Sequence, residues 1–152
     1  MSEVSVEREI AAAPEDVWEL ISDVTRMGDW SPECTGGTWL GDASGPAVGA
    51  RFRGTNKAGW RRWWTTATVT EADPGKSFVF KVASGPMPIA TWGYQIAPTD
   101  GGCRVTESFV DRRSNLAIRL SPMVSGIHDR DDHNQRSMET TLERLAAAAE
   151  AG

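Results

Sequence analysis

Residues 61–80 read RRWWTTATVTEADPGKSFVF, two strand-like stretches separated by the turn sequence DPGK at 73–76. Successive side chains of a β-strand point to opposite faces of its sheet. In the first stretch the odd-numbered residues are less polar than the even-numbered ones. We therefore expect Trp63 and Thr65 to face inward and Trp64 to face outward. The whole segment predicts a β-hairpin with one aromatic, covered face.

Further strand patterns flank this hairpin: TGGTWL and ARFRGTN before it, ATWGYQIA and CRVTESFV after it. Their short connections, such as TDGG at 99–102, favour sequential antiparallel neighbours, and VSVEREI at 4–10 adds a strand near the start of the chain. Alternation along these strands predicts one inward, covered face, whose residues would contact a bound molecule if a cavity lies in front of them. Its candidate residues are Trp63, Thr65, Phe78, Phe80, Trp92, Tyr94, Glu107 and Phe109.

Three helices are predicted beside the strands. The segment AAAPEDVWELISDV at 11–24 places Pro14 in a first helical turn and repeats apolar residues at i, i+3, i+4 and i+7. A short second helix should end near Trp30, where glycine and proline interrupt the pattern. A long helix is expected from about 129 to 150, with Met138 on its apolar side. Helices segregated from an antiparallel sheet define an α+β fold, and only the last helix is long enough to cover the sheet.

The composition is that of an ordinary globular domain. The chain has 152 residues, of which 39% are hydrophobic and 24% charged, and its formal net charge is −5. This negative charge argues against nucleic acid as a partner, although RRWW is similar to a base-stacking platform. No apolar run approaches the ~18 residues of a membrane span, and the acidic first ten residues are unlike a signal peptide. We therefore expect a cytoplasmic protein, in which Cys34 and Cys103 are free thiols.

The inward face carries large rings, whereas the long helix offers methionine, leucine, threonine and several alanines. These surfaces can close tightly into an aromatic core, or they can leave a cavity between the rings and the helix. The residues alone leave both alternatives open. An opening to such a cavity is expected beside the second helix, the glycine-rich loop GDASGPAVG at 41–49 and the broken segment at 112–127.

Three long segments carry a resemblance to a known superfamily: APEDVWELISDVTRMGDWSPEC at 13–34, VGARFRGTNKAGWRRWWTTATVTEADPGKSFVF at 48–80 and TWGYQIAPTDGGCRVTES at 91–108. The chain resembles the START/Bet v 1-like (SRPBCC) superfamily, and within it the polyketide cyclase/dehydrase-like branch. The resemblance covers roughly residues 3–150 and implies one ligand-binding domain over residues 1–152. It also implies the helix-grip fold, a curved antiparallel sheet of about seven strands around a long C-terminal helix, with two short helices after the first strand.

The same resemblance implies a deep apolar cavity between sheet and helix, in which members of the superfamily bind lipids, sterols, polyketides or other apolar molecules. It therefore favours the cavity over the solid core. Met138 would contribute to the apolar wall. A few polar groups would orient the ligand, and the candidates are Thr65, Tyr94, Glu107 and Asn134.

Glu107 is the titratable residue with the most direct chemical interpretation. An inward carboxyl group among aromatic rings should have a raised pKa and could act as an acid or a base. The alternative is that Glu107 pairs with an arginine or lies at the rim of the sheet. Tyr94 could orient a ligand carbonyl or donate a proton, or its hydroxyl could be satisfied by a neighbouring side chain.

No metal site and no cofactor are predicted. His128 and His133 are five residues apart, which does not match the i, i+4 pair of a helical zinc site. A homodimer is left open beside a monomer.

Three functions are compatible with these residues. The favoured one is a protein that binds an apolar or amphipathic small molecule, such as a lipid, a fatty acyl or a polyketide-like compound, without transforming it. The second is a polyketide cyclase or aromatase-type enzyme in which Tyr94 and Glu107 transfer protons. The third is an interaction module that contacts a partner through an exposed apolar patch at Trp60 and Trp64.

Overall fold

The structure, a computed structural model, describes residues 3–116, 118–119 and 130–151. Its strands are β1 (Glu3–Ile10), β2 (Cys34–Trp39), β3 (Arg51–Ala58), β4 (Arg61–Asp73), β5 (Ser77–Ser84), β6 (Met87–Thr99) and β7 (Gly102–Asp111). They form one sheet in the order β1-β7-β6-β5-β4-β3-β2, and every neighbouring pair is antiparallel. The predicted meander is confirmed, and the first strand joins the sheet beside the last.

The helices with fully described bounds are α1 (Pro14–Ser22), a 3-10 turn (Val24–Arg26), α2 (Met27–Trp30) and α3 (Arg130–Ala151). The two short helices and the long terminal helix were all predicted, and α2 ends at Trp30 as expected. The first helix ends two residues earlier than its apolar pattern because the Asp23 side chain accepts a hydrogen bond from Thr25 N and starts the 3-10 turn. Within the described ranges, no helix is long and apolar enough to cross a membrane.

The hairpin at 61–80 is formed by β4 and β5. Lys76 N donates to Asp73 O at 2.9 Å, which closes the predicted DPGK turn. Gly75 lies in this turn at φ 77°, a conformation that glycine adopts without strain. The inward face is therefore fixed by strand alternation and a tight turn, as the sequence predicts.

A solid apolar core fills one part of the space between the sheet and the helices. Phe78, Val105 and Leu142 are almost fully buried there. The Trp18 indole Nε1 donates to Ser77 O at 2.7 Å, which fixes α1 against the start of β5. This part of the sheet is closed by α1 together with α3.

Two glycines allow the short helices to pack directly against β2. A Cβ atom on Gly37 would lie 2.6 Å from Val24 O, and one on Gly28 would meet Thr35 O even more closely. Only glycine permits both approaches without moving the backbone. The close packing brings the α2 residues Met27 and Trp30 to the inner side of the sheet.

Candidate functional site

A cavity of about 460 Å³ lies between the sheet, the two short helices and α3. This volume corresponds to roughly 15 water molecules at ~30 Å³ each, which is room for an organic molecule of comparable atom count. The rings therefore surround a hollow that α3 does not fill. The large apolar residues of the wall are Ile21, Met27, Trp30, Phe52, Trp63, Trp64, Phe80, Val82, Met87, Ile89, Trp92, Phe109, Met138 and Leu145.

Nine of the ten predicted contact residues lie in this wall: Trp63, Thr65, Phe80, Trp92, Tyr94, Glu107, Phe109, Asn134 and Met138. Phe78 is the exception among the described residues. Its side chain is 0% exposed and packs in the solid core, with its ring centroid 5.6 Å from that of Phe80. Alternation correctly predicts that Phe78 points inward. It cannot show that α1 already fills the space in front of it.

Ring contacts make the wall rigid. The centroids of Trp92 and Phe109 are 4.9 Å apart, and these residues are directly opposite each other on β6 and β7. Phe52 and Phe80 lie 5.2 Å apart in an edge-to-face arrangement. Each such pair stabilises the fold by about 0.5–1.5 kcal/mol in addition to the stabilisation from burying the two rings. The rings of the wall therefore support one another directly.

Glu107 and Tyr94 form a buried hydrogen-bonded pair in this wall. They are opposite each other in the β6–β7 register, so their side chains leave the same face of the sheet. The Tyr94 hydroxyl donates to Glu107 Oε2 at 2.8 Å, and the two residues are 8% and 3% exposed. Glu107 Oε1 has no hydrogen-bond partner in the part of the chain that the structure describes. The alternative of an arginine partner or a rim position is therefore wrong, whereas the Tyr94 hydroxyl does have a neighbouring partner.

Burial controls the protonation of this pair. It raises the pKa of Glu107 from 4.5 to about 8, although the hydrogen bond from Tyr94 opposes the shift. Burial, followed by the nearby Glu107, raises the pKa of Tyr94 well above its ordinary range. At neutral pH both groups are therefore mainly protonated. Because Tyr94 donates to Oε2, the carboxylic proton belongs on Oε1, which is then a free donor.

Asn134 supplies a second free donor from the opposite side of the cavity. It lies on α3, is 4% exposed, and its Nδ2 has no hydrogen-bond partner among the described residues. Glu107 lies on the sheet and Asn134 on the helix, and both belong to the cavity wall. A molecule between them would meet one donor from each layer.

Several wall residues were not predicted. Phe52 and Asn56 alternate inward along β3, and Asn56 is opposite Trp63 in the register, so the pattern used for β4 could have identified both. Ser137 and Thr141 follow Asn134 on one face of α3 and were detectable from helical spacing. Cys34 also lines the cavity, and its position carries no comparable sequence signal.

The two cysteines are free thiols, as predicted. Burial raises the pKa of the Cys34 thiol, and the carbonyl of Gly36 accepts its weak hydrogen bond at 3.5 Å. Cys34 is therefore a neutral part of the wall at physiological pH, without the lowered pKa that activates a thiol.

The described residues contain no group of three or more metal-ligating side chains. His128 lies outside these residues. His133 Nε2 is 2.9 Å from Glu33 Oε1, and this contact joins α3 to the segment just before β2. The structure thus gives His133 a contact that fixes the helix beside the cavity.

The cavity opens beside the hairpin ends of β4, β5 and β6. The wall residues that are themselves exposed are Trp64, Ser84 and Met87. The glycine-rich loop at 41–49 belongs to a separate surface depression, so the expectation that it borders the opening is wrong. This loop joins β2 to the Arg51 end of β3, whereas Trp64 pairs with the opposite end of that strand.

The expected contribution of the segment at 112–127 can be followed only in part, because residues 117 and 120–127 lie outside the described ranges. Arg113 is a wall residue. Its Nε donates to Asp111 Oδ1 at 2.9 Å, and its Nη2 donates to Asp111 Oδ2 at 2.6 Å. The expected second helix does contribute, through Met27 and Trp30.

A family model described as polyketide cyclase / dehydrase and lipid transport matches residues 1–150. The chain belongs to this family. The match confirms the resemblance inferred from the sequence, and it covers the strands, the cavity and α3 together. No curated protein is significantly similar to this sequence.

Solved structures extend the likeness. A polyketide cyclase-like protein from Corynebacterium glutamicum is 28% identical, with a TM-score of 0.60 over 97% of this chain and 88% of that one. The di-domain ARO/CYC protein of the steffimycin biosynthetic pathway superposes with a TM-score of 0.75 at 13% identity, over 98% of this chain and 50% of its own. The major latex-like protein 151 of Panax ginseng gives a TM-score of 0.73 at 12% identity over 97% of both chains. The last two show a shared helix-grip fold.

Proposed function

We propose that the protein binds a neutral, largely apolar molecule that carries a carbonyl group, and that it holds this molecule between the sheet and α3. The observation that carries the proposal is the presence in an aromatic wall of two buried donors, Glu107 Oε1 and Asn134 Nδ2, that have no partner among the residues that the structure describes. A buried polar group without a partner costs about 1–3 kcal/mol. A ligand oxygen that accepts from these donors removes that cost.

The electrostatics of the cavity favour a neutral ligand over an anion. With a pKa of about 8, Glu107 is protonated by roughly ten to one near pH 7 and acts as a donor. Among the described wall residues Arg113 is the cation, and Asp111 holds it in a two-contact ion pair. A ligand carboxylate would therefore have to be buried without a cation of its own, which is unfavourable. Ketones, esters and similar acyl compounds avoid that penalty.

Size and family membership agree with this ligand class. A cavity of about 460 Å³ lies within the range of ~300–1,000 Å³ that is usual for small-molecule sites. The family is described by polyketide cyclisation, dehydration and lipid transport. Polyketide-like and fatty acyl compounds combine an apolar body with carbonyl oxygens, so they satisfy both the aromatic wall and the two donors.

A second function, cyclisation of a poly-β-keto chain, is favoured by the raised pKa of Glu107 and by its contact with Tyr94. In this reaction an enol carbon of the chain would form a bond to a carbonyl carbon further along it. Glu107 would give its proton to the carbonyl oxygen, and the enol hydroxyl would return a proton to the Glu107 carboxylate. The carboxylic acid is then regenerated, and no external reagent is consumed.

Binding can be tested with a fluorescent naphthyl ketone and with the matching alkylnaphthalene that lacks the carbonyl group. Isothermal titration calorimetry measures both affinities, and energy transfer from cavity tryptophans such as Trp63 to the ketone reports its occupancy. Replacing Glu107 or Asn134 with leucine should weaken ketone binding about tenfold, which corresponds to one hydrogen bond of about 1.4 kcal/mol, and should not weaken hydrocarbon binding. Gln135→Leu makes the same kind of change on the exposed side of α3 and should leave both affinities unchanged. Equal losses for the two probes would refute a role for the carbonyl group.

Glu107→Gln separates binding from catalysis. The glutamine amide can still donate to a ligand oxygen, so binding of the ketone should be retained. It cannot transfer a proton, so an enzyme would lose turnover of a poly-β-keto substrate. A wild-type protein that binds the ketone tightly and leaves such a substrate unchanged is a binding protein alone.

A further inference from the structure

Charge is unevenly distributed along the chain. Residues 43–99 hold seven of the sixteen Lys and Arg residues but only two of the twenty-one Asp and Glu residues, a net charge of +5. The rest of the chain therefore carries −10, which gives the total of −5. Five of those seven cations lie between residues 51 and 62, three on β3 and two on β4. An acidic protein thus has one locally basic hairpin.

Four of these cations, Arg51, Arg53, Lys57 and Arg62, lie on the outer side of the hairpin, whereas Arg61 lies next to its turn, beside Trp60. Lys57 is opposite Arg62 in the β3–β4 register, and both share the face of Trp64 rather than that of the inward Trp63. Among the residues that the structure describes, none of the five takes part in an ion pair. We call this surface the hairpin face; it consists of Arg51, Arg53, Lys57, Trp60, Arg61, Arg62 and Trp64.

Two tryptophans project from the hairpin face. Trp60, at the turn, is 80% exposed, and Trp64 is 66% exposed. The Arg61 guanidinium lies 4.5 Å from the centroid of the Trp60 ring, so a cation accompanies the indole. Indole rings with an apolar body and a polar edge are favoured where an apolar phase meets water.

The hairpin face adjoins the opening of the cavity. Trp64 belongs both to this face and to the cavity wall, and Met87, which is 43% exposed, lines the same opening. The positive charge, the exposed indoles and the entrance to an apolar interior therefore occupy one side of the molecule.

We propose that the hairpin face docks on the surface of an anionic lipid bilayer, with the cavity opening directed toward the acyl chains. A bilayer presents phosphate charge beside an apolar phase, which matches cations beside exposed indoles and an apolar opening. A nucleic acid presents the charge without the apolar phase. An arginine- and tryptophan-rich surface also suits a protein partner, but only a bilayer places an apolar phase at the cavity opening. Docking depends on the surface alone. Only the further step, direct transfer of a ligand between bilayer and cavity, rests on the proposed function.

Co-sedimentation with vesicles tests docking. Wild-type protein should bind vesicles of phosphatidylcholine and phosphatidylglycerol in equal parts, should bind pure phosphatidylcholine vesicles far more weakly, and should be released by high salt. The double change Arg61→Gln and Arg62→Gln should weaken binding to the anionic vesicles by about 25-fold, because each cation near such a surface contributes about fivefold. Trp60→Ala should weaken it by about tenfold, because the indole no longer enters the interface.

The matched control is the double change Arg8→Gln and Arg136→Gln, which removes the same charge from exposed positions outside the hairpin face and should retain vesicle binding. Equal binding by the two double variants, or no preference for anionic vesicles, overturns the proposal. Binding to a single-stranded oligonucleotide without binding to vesicles also overturns it, in favour of a nucleic-acid surface. The naphthyl ketone, titrated without vesicles, should bind the Arg61→Gln and Arg62→Gln variant normally, so loss of docking and loss of ligand binding can be told apart.

Discussion

Replacing Glu107 with glutamine should stabilise the protein at neutral pH. Burial raises the pKa of Glu107 from 4.5 to about 8. As the pH rises through about 4.5 the unfolded chain loses this proton, whereas the folded protein keeps it until about pH 8. Between these two pH values the free energy of unfolding falls by about 1.4 kcal/mol per pH unit. Compared with its value below pH 4.5, it is therefore lower by about 3 kcal/mol near pH 7 and by 4–5 kcal/mol above pH 8.

Glutamine remains neutral, and its amide oxygen can still accept the hydrogen bond from Tyr94. The variant should therefore match the wild type within about 1 kcal/mol near pH 4 and be more stable by about 3 kcal/mol near pH 7. Urea denaturation followed by circular dichroism measures both differences. Glu139→Gln, at an exposed position on α3, should stay within about 0.5 kcal/mol of the wild type at both pH values. Equal free energies of unfolding for Glu107→Gln and the wild type near pH 7 would refute the raised pKa.

Three further substitutions test the packing of the fold outside the cavity. Phe78→Ala should reduce the free energy of unfolding by about 3–5 kcal/mol in urea denaturation and leave the ketone affinity of the folded protein unchanged, because Phe78 is buried outside the cavity wall. Gly37→Ala should lower the melting temperature measured by calorimetry, since its Cβ would lie 2.6 Å from Val24 O; an unchanged value would contradict that close approach. Trp18→Phe should cost about 1–3 kcal/mol in urea denaturation by leaving the buried carbonyl of Ser77 without its donor, and a neutral result would show that this bond contributes little.

Strand alternation and helical periodicity predicted most of the fold because each is a local property of the chain. The inward Trp63, Trp92 and Phe109 follow from period-two spacing, and the buried Met138 follows from the apolar side of a helix. The same local rules identified Glu107 as an inward carboxyl. Its protonation depends on burial by several elements, and the structure adds both the Tyr94 partner and the unpaired oxygen.

What the sequence did not predict depends on which element fills the space in front of each strand. Phe78 and Phe80 are two residues apart on one face, yet α1 closes the space before Phe78 and leaves Phe80 at the cavity. The opening was expected beside the glycine-rich loop at 41–49, the second helix and the segment at 112–127. The register places that loop at the far end of β3 and places Trp64 at the opening.

The most direct test of the account is the affinity for the neutral naphthyl ketone as a function of pH. If protonated Glu107 donates to the carbonyl, wild-type affinity should be constant near neutral pH and fall as the pH rises above about 8, while Glu107→Gln should show no such decline. The wild-type decline and its absence in the variant would together confirm the donor. A wild-type affinity that does not change across this range, or no binding at any pH, would contradict a carbonyl ligand held by Glu107.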